Sequence, residues 1–277
     1  MSLYTIFGGR GFIGSEFVRQ LTKLGHDIYI PERDDEKIYK KNLGVVIYSA
    51  GYGDCENKPY NVLEANTILL SSILEKATFE KLIYISSTRV YMNQENSLEE
   101  GNVTICRNDN RRLFNLTKLV SEELCLKSSK DTLIIRPSNV YGLSLDSQLF
   151  LPSIIKDSIN KKIVNMYVDE NYEKDYISVF DLVFYTIELV KMKNPPPIVN
   201  IASGKNITSK NIADILIKQT NCKVIWHNKN FSLEKFPITN IDFIKNNIMH
   251  DTKNVLLDLV DMIEEYKNAL RIKNEQH

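Results

Sequence analysis

Three glycines near the start of the chain have a spacing suited to binding a diphosphate. Gly8, Gly11 and Gly14 lie between an apolar run that ends at Phe7 and a segment with helical spacing over residues 13–24. Glycines let a backbone turn sharply and approach a diphosphate, which then meets the free N–H groups at the helix N-terminus. The pattern is GxxGxxG rather than GxGxxG, and glycine turns also occur for purely structural reasons. The stretch therefore predicts a dinucleotide site only if the rest of the chain supplies the matching fold.

A second group of polar residues follows later in the chain. Ser87 and Thr88 come directly after an apolar run, and a hydroxyl can donate to a carbonyl oxygen and accept from an alcohol. Lys118 comes four residues after Phe114, so the two side chains share one face of a helix and can meet one ligand. The structural alternatives are a serine that caps a strand end and a lysine exposed on a helix.

Alternating strands and helices would bring these groups together. The first half of the chain predicts strands near residues 1–7, 26–30, 45–49, 81–86 and 132–135, and helices near residues 13–24, 61–77 and 111–127. This alternation is typical of a parallel, doubly wound sheet, in which ligands bind beyond the carboxyl ends of the strands. We predict an α/β fold of the Rossmann type, with residues 1–140 forming the dinucleotide-binding domain.

The order of predicted strands and helices changes from Tyr141 onward. The sequence predicts helices near residues 152–160, 180–191, 209–219 and 252–268, with short strands near 163–168, 198–201 and 223–226. We expect residues 177–202 to return to the first domain. Residues 141–176 and 203–277 are expected to form a smaller C-terminal lobe that binds substrate at the carboxyl edge of the sheet.

Composition argues against a nucleic-acid-binding, metal-binding, membrane or secreted protein. The formal net charge of the 277 residues is zero, and no Lys/Arg block of nucleic-acid type is present, so we expect no nucleic-acid partner. The four cysteines are scattered without metal-ligand spacing, which predicts free thiols and no metal site. No apolar run reaches the roughly 18 residues that span a bilayer, and the early first strand leaves no room for a signal peptide. We predict a cytoplasmic protein with no membrane partner.

Several segments fall in a fixed order along the chain. They are Gly8–Gly14, Tyr84–Tyr91, Lys118, Arg136–Gly142, Lys174–Leu182 and Asn200–Gly204. The series resembles the extended short-chain dehydrogenase/reductases that act on nucleotide sugars, the NAD-dependent epimerase/dehydratase family. The resemblance covers nearly the whole chain. It implies an NAD(P)-dependent enzyme whose substrate is a sugar linked to UDP, GDP, dTDP or CDP.

The resemblance also implies roles for individual residues. Ser87 matches the hydroxyl residue that hydrogen-bonds the reacting sugar oxygen. Lys118 matches the lysine of the YxxxK motif, which holds the nicotinamide ribose and lowers the pKa of the tyrosine. Asn139 resembles a substrate-contacting asparagine. Lys174 stands where the family usually has an arginine that binds the diphosphate, and a lysine offers a point charge without the bidentate fork.

Phe114 departs from the family pattern, because the family has tyrosine there. Phenylalanine keeps the ring but cannot give or take a proton, and general acid–base help is worth ~10²–10⁴-fold in rate. Three explanations stay open. The residue is an engineered change; or another group such as Ser87, Thr88, a nearby tyrosine or water moves the proton; or the protein binds its ligands without catalysis.

The resemblance excludes some reactions. The 4,6-dehydratases of the family carry Asp-Glu where this chain has Thr88 and Arg89. The fucose-synthase-like epimerase-reductases carry a cysteine at the Arg89 position. What is left is hydride transfer at a sugar carbon, most simply C4, as a ketoreduction, an oxidation or a 4-epimerisation with retained cofactor. The short chain favours the reductases, and the implied pathway is surface-polysaccharide synthesis.

The choice between NAD(H) and NADP(H) depends on charges near the second strand. Glu32 ends that strand, where a carboxylate accepts from the adenosine ribose of NAD and repels a 2′-phosphate. Arg10 and Arg33 could instead clamp such a phosphate. We favour NAD(H) slightly. The predicted cofactor contacts are Gly8, Arg10, Gly11, Phe12, Ile13, Gly14, Glu32, Arg33, Ser49, Ala50, Gly51, Asn66, Lys118 and Pro137.

Two further expectations follow from the resemblance. Asn66 matches a helix asparagine that often braces the loop after the fourth strand. The helices near residues 61–77 and 111–127 are apolar on more than one face. In the family these helices pair across a two-fold axis, so we expect a homodimer; the alternative is deeper burial within one chain.

Overall fold

A computed structural model describes residues 1–144, 149–227 and 234–275. Its centre is a six-stranded parallel sheet in the order β2-β1-β3-β4-β5-β9. The strands are β1 (Leu3–Phe7), β2 (Asp27–Tyr29), β3 (Val45–Tyr48), β4 (Lys81–Ile85), β5 (Thr132–Pro137) and β9 (Ile198–Ile201). The order reverses between β1 and β3, and such a switch point opens a crevice at the carboxyl ends of the strands. The predicted doubly wound α/β fold is confirmed.

Helices cover both faces of this sheet. They are α1 (Phe12–Lys23), α2 (Pro59–Leu63), α3 (Leu69–Lys76), α4 (Arg112–Lys127) and α6 (Val179–Lys191). The strands β3, β4 and β5 are almost completely buried, as expected for strands covered on both faces. One face packs mainly against α1 and α6, and the other against α3 and α4. The carboxyl ends of the strands are thereby held rigidly at one edge.

A second core lies in the later part of the chain. It is built by α5 (Phe150–Asn160), α7 (Ser209–Thr220) and α9 (Val255–Glu275), together with the parallel pair β7 (Ile163–Met166) and β11 (Lys223–Trp226). A three-stranded sheet in the order β10-β8-β6 joins this region to the end of β5; its strands are β6 (Asn139–Tyr141), β8 (Glu173–Ser178) and β10 (Asn206–Thr208). A short helix, α8 (Asp242–Asn247), packs near β9.

The sequence did not predict β6, β8, β10 or α8, and several of the predicted elements extend beyond the observed ones. The first strand begins at Leu3, and the second covers only 27–29. The predicted helix over 61–77 begins at Pro59 and contains a π-helical segment, Glu64–Ile68, between α2 and α3. β6 and β10 have three residues each, and such short strands carry no readable alternation of polar and apolar residues, because that pattern needs four or more positions.

Two findings bear on partners and ions. Within the ranges that the structure describes, no helix combines the length and the apolar character needed to cross a membrane. Within the same ranges, no three His, Cys, Asp or Glu side chains are grouped so that they could hold a metal ion.

Candidate cofactor and sugar site

The turn between β1 and α1 forms a backbone cradle. Gly8 has a φ of +78°, a conformation that favours glycine. A Cβ on Gly14 would lie 2.1 Å from the carbonyl oxygen of Gly8, and one on Gly8 would lie 2.8 Å from the Ser49 backbone. Gly11 stands at the start of α1 without a side-chain cap, so the first N–H groups of the helix are free for a ligand. This glycine corner, Gly8, Gly11 and Gly14, fits a diphosphate.

The side chains around the glycine corner have distinct places. The ring of Phe12 lies beside Gly142, since a Cβ on that glycine would come 3.2 Å from it. Ile13 packs against the main core. Ser49, which follows β3, donates its hydroxyl to the carbonyl of Phe7 at 2.8 Å. Pro137 is buried at the end of β5, and Ala50 is half-buried beside the second sheet face.

Arg10 and Glu32 form an ion pair at the outer end of the corner. Both nitrogens of the Arg10 fork bond the two carboxylate oxygens of Glu32. The two side chains are more than half exposed, at 63% and 70%. Arg33 is exposed next to them. The carboxylate and the guanidinium therefore balance each other at this end of the corner.

Lys118 is buried at the centre of the site. Its Nζ donates to the carbonyl of Ile85 at the end of β4 over 2.8 Å, and lies 3.2 Å from the place that a Cβ on Gly51 would take. Burial lowers the pKa of this ammonium to about 8, although the Glu122 carboxylate opposes the shift. The Lys118 ammonium is thereby held at the carboxyl end of β4, against the residue that stands two positions before Ser87.

Asn66 braces a different loop from the one expected. Its Oδ1 accepts from the backbone N of Tyr52 at 2.9 Å, and its Nδ2 donates to the Tyr52 carbonyl and to Thr117 Oγ1. Tyr52 belongs to the loop after β3, not to the loop after β4. The amide is completely buried and is satisfied by the protein, so Asn66 shapes the loop that carries Gly51.

Ser87 and Thr88 follow β4, and Ser87 caps a short 3₁₀ helix, Thr88–Tyr91. Ser87 is half-buried and its Oγ accepts from the N–H of Arg89 at 3.1 Å, which leaves its own hydroxyl proton for another acceptor. Thr88 lines a small recess together with Asn139 and Phe236. The amide of Asn139 donates to the Asp175 carbonyl at 2.8 Å.

Phe114 lies one turn before Lys118 on α4. The Nζ of Lys118 is 5.6 Å from the centre of its ring. The guanidinium carbon of Arg111 lies over the same ring at 4.6 Å. The ring that replaces the family tyrosine is therefore flanked by two cations.

Further toward the second core, three cations surround two carboxylates. Arg89 is buried and pairs with Asp109 at 2.7 Å and with Glu234 at 2.8 Å. Lys174 lies 4.0 Å from Glu234, with its ammonium against the rings of Tyr172 and Phe236. We call Arg89, Asp109, Arg111, Lys174 and Glu234 the charged cluster.

Two pKa values in the charged cluster move in opposite ways. Burial lowers the pKa of Lys174 to about 8, with Glu234 opposing. Burial by itself would raise the pKa of Glu234, but Arg89 and the Tyr172 hydroxyl outweigh burial and lower it to about 2. The cluster thus keeps the Glu234 carboxylate ionised, and the Lys174 ammonium loses its proton at a lower pH than a free lysine does.

A buried ion pair supports the strand end that carries Ser87. Arg136 contacts both carboxylate oxygens of Glu122, and both residues are almost completely buried. The Ser86 hydroxyl also donates to Glu122. Because Glu122 lies one turn after Lys118, this pair ties α4 to the ends of β4 and β5.

The structure brings most of the predicted site residues to one edge of the sheet. The residues that sequence reasoning missed are Asp109, Arg111 and Glu234, while Arg89 was noticed only as a departure from the dehydratases. The signal that could have found them is charge balance. A buried arginine at position 89 requires carboxylates, and the polar stretch over 93–110 supplies one of them.

Solved structures share this fold. The chain superimposes on MoeE5 in complex with UDP-glucuronic acid and NAD with a TM-score of 0.82 at 16% identity, covering 96% of this chain and 99% of that one. A tyrosine-to-phenylalanine mutant of UDP-glucuronic acid 4-epimerase from Bacillus cereus gives 0.82 at 18% identity, with 96% and 99% covered. dTDP-glucose 4,6-dehydratase from Bacillus anthracis gives 0.80 at 15%, with 97% of each chain covered. At these identities the likeness shows the fold alone.

Sequence comparison identifies the family. No curated protein sequence matches this chain. The model of the NAD dependent epimerase/dehydratase family matches residues 4–202, which include the glycine corner, Ser87 and Lys118. This match covers most of the chain and confirms the resemblance read from its motifs. The protein belongs to the NAD dependent epimerase/dehydratase family.

Proposed function

We propose that the protein is an NAD(P)-dependent oxidoreductase of a nucleotide-activated sugar, and that it moves a hydride at C4 of the sugar. The observation that carries the proposal is the position of the Lys118 ammonium. It bonds the carbonyl of Ile85 at the end of β4, two residues before Ser87 in the sequence, and it lies beside Gly51. A dinucleotide whose diphosphate lies at the glycine corner would extend along this edge toward Lys118.

The nicotinamide cofactor, when bound, would supply the hydride acceptor or donor. The chain's own residues do the rest. Lys118 would bind the ribose hydroxyls next to the nicotinamide, and Ser87 would hydrogen-bond the reacting sugar oxygen through its free hydroxyl proton. Thr88 and Asn139, which share one recess, would hold the sugar. Lys174 would face the diphosphate as a point charge.

The direct test is turnover with a panel of UDP-, GDP-, dTDP- and CDP-linked sugars and their 4-keto forms. Absorbance of the reduced nicotinamide would report net oxidation or reduction. We expect slow turnover by the wild type and a gain of roughly 10²–10⁴-fold in Phe114→Tyr, because that variant restores a group able to transfer a proton. An absence of turnover by both proteins would contradict the proposal.

The second candidate is a nucleotide-sugar 4-epimerase. Three of the structurally similar chains are 4-epimerases by name: UDP-glucuronic acid 4-epimerase from Bacillus cereus, with and without its mutation, and UDP-glucose 4-epimerase from Thermotoga maritima. An epimerase would return its hydride to the same sugar, so no reduced cofactor would accumulate. Product analysis by NMR distinguishes this activity, since only an epimerase converts the 4-hydroxyl without net change of the cofactor.

A candidate of another class is a cofactor-binding protein without catalysis. Phe114 favours it, because no ionisable group is present at that position. Binding of both NAD and a sugar nucleotide by calorimetry, without any chemical change of the sugar in wild type and Phe114→Tyr, would support this candidate over the enzyme.

NAD(H) is the favoured cofactor. Glu32 is engaged by Arg10, so a 2′-phosphate would have to displace a carboxylate from its guanidinium and would then lie beside that carboxylate. A ribose hydroxyl could bond Glu32 while the ion pair stays intact. Titration with NAD⁺ and NADP⁺ would measure the preference.

The division into two domains and the homodimer are further proposals. The separate core around α5, α7 and α9 supports a sugar-nucleotide lobe over residues 141–176 and 203–277. Leu63, Ile68, Leu116 and Val120 are each at least 40% exposed on α2, the π-helical segment and α4, which supports pairing of these helices between two copies. Sedimentation should show a dimer that Val120→Glu dissociates, whereas Leu257→Glu, on an exposed position of α9, should leave it intact.

A further inference from the structure

Arg111 has a position that the family motifs do not describe. Its guanidinium lies over the ring of Phe114 with 4.6 Å between the carbon and the ring centre. One of its terminal nitrogens lies 3.1 Å from the place that a Cβ on Gly53 would take. The side chain thus bridges from α4 to the loop after β3, and the absence of a side chain on Gly53 leaves room for it.

The Arg111 guanidinium is also free of the pairing that neutralises its neighbours. Arg89 has Asp109 and Glu234, and Lys174 has Glu234. The bond between Arg111 and Asp109 uses the backbone N–H of Arg111, at 2.8 Å, and not its guanidinium. Among the described residues, the guanidinium of Arg111 forms no ion pair or hydrogen bond. Its donors are therefore available to a ligand.

The helix fixes the direction in which Arg111 acts. Arg111, Phe114 and Lys118 are spaced by three and four residues, so they lie on one face at the start of α4. The backbone bond to Asp109 holds residue 111 at the helix start. The Arg111 guanidinium consequently covers the ring of Phe114. At this position the family has the tyrosine whose hydroxyl transfers a proton.

Resting on the proposed function, we infer that Arg111 is a catalytic residue that binds the reacting sugar oxygen in place of the missing tyrosine hydroxyl. In oxidation of the sugar, the C–H electron pair leaves as hydride to the nicotinamide, the hydroxyl proton passes to water, and a carbonyl forms. Arg111 keeps all its protons, as arginine does in proteins. It acts by donating hydrogen bonds to the oxygen on which negative charge develops.

A double-mutant cycle tests this role with the sugar nucleotide that the wild type turns over. Arg111→Gln should lower kcat about 10²–10³-fold, the usual effect of removing one donor to a developing oxyanion. In the Phe114→Tyr background the same change should cost about tenfold or less, because the hydroxyl then serves the oxygen. Arg112→Gln is the matched control, since Arg112 is the next residue and bonds the Arg107 carbonyl instead. An equal loss in both backgrounds would overturn the inference.

Calorimetry gives a second reading that does not depend on turnover. With oxidised cofactor bound, Arg111→Gln should weaken binding of the sugar nucleotide about tenfold, but should change binding of its 4-deoxy-4-fluoro analogue far less. Equal weakening of both would assign Arg111 to the diphosphate or to another anionic group and overturn the inference. Failure of the proposed function is a separate result, because it requires that neither wild type nor Phe114→Tyr turns over any sugar.

Discussion

The glycine corner and the charged cluster lie at the same edge of the sheet but are held in place by different forces. In the corner, backbone atoms approach so closely that a single Cβ on Gly14 would collide with Gly8. In the cluster, side chains from distant parts of the chain are held by ion pairs, such as Arg89 with Glu234. Steric fit needs particular residues at particular positions, whereas charge balance can be met by many combinations.

This difference accounts for where the chain departs from its family. The glycine corner, Ser87 and Lys118 match the motifs of the family, while Phe114 and, in the charged cluster, Lys174 depart from the residues that the family usually has there. We infer that cofactor binding constrains the corner through backbone geometry, and that the sugar side is free to change chemistry as long as its charges remain balanced.

The largest expected effect is on stability and comes from the charged cluster. Arg89→Met would leave Asp109, whose side chain is fully buried, without its cation. Breaking a buried pair in this way should lower the free energy of unfolding by about 3–5 kcal/mol. Urea unfolding measures it, and Arg89→Lys, which keeps the charge, should cost less. An equal cost for the two variants would show that packing, not charge, holds the cluster.

The second ion pair of Arg89, with Glu234, has a pH dependence of known sign. The pKa of Glu234 is lowered to about 2 from an ordinary value of 4.5. A depressed carboxylate contributes its stability above pH 4.5 and loses it as the pH falls through 2. Unfolding of Glu234→Gln should therefore show a smaller loss of stability between these pH values than unfolding of the wild type.

The second effect tests the glycine corner. Gly14→Ala should lower the free energy of unfolding by about 1–3 kcal/mol through overpacking and should abolish dinucleotide binding, because the displaced backbone is the ligand's contact surface. Gly25→Ala is the control: its φ is +80° but nothing lies within 4 Å of its Cβ. It should be destabilised by strain and still bind. Retained binding in Gly14→Ala would mean that the corner is not the diphosphate site.

The third prediction uses Lys118. Its pKa of about 8 means that the ammonium is lost as the pH rises through this value. If the charged form holds the cofactor, NAD⁺ affinity should fall about tenfold for each pH unit well above 8, or about 1.4 kcal/mol. Lys118→Arg stays charged and should flatten the dependence. Calorimetric titration with NAD⁺ between neutral and alkaline pH measures this dependence. A wild-type affinity that does not change with pH would contradict the prediction.

The smallest expected effect concerns the exposed pair of Arg10 and Glu32. Glu32→Gln should improve binding of NADP⁺ relative to NAD⁺ about fivefold, the equivalent of roughly 1 kcal/mol between charges in water. Glu36→Gln, an exposed glutamate paired with Lys40, serves as the control. No change in the ratio of the two dissociation constants would place the adenosine ribose elsewhere.

The same contrast explains what the sequence could predict. Gly14 and Lys118 could be singled out because the predictions for them depend on local spacing, and the alternation of strands and helices predicted the parallel sheet. Arg89 and Glu234 are 145 residues apart, so no local pattern connects them. The strand Asn139–Tyr141 is too short to show periodicity. Asn66 was matched to the wrong loop because spacing gives the residue but not the direction of its amide.

That asparagine owes its direction to the π-helical segment Glu64–Ile68. A π turn accommodates one residue more than an α turn, so it rotates every side chain before it relative to those after it. Removing one residue there would restore a regular helix and keep the apolar face of α3 against the sheet. It would also turn the Asn66 amide away from Tyr52. The loop that carries Gly51 and Gly53 would then lose the hydrogen bonds that hold it next to Lys118 and Arg111.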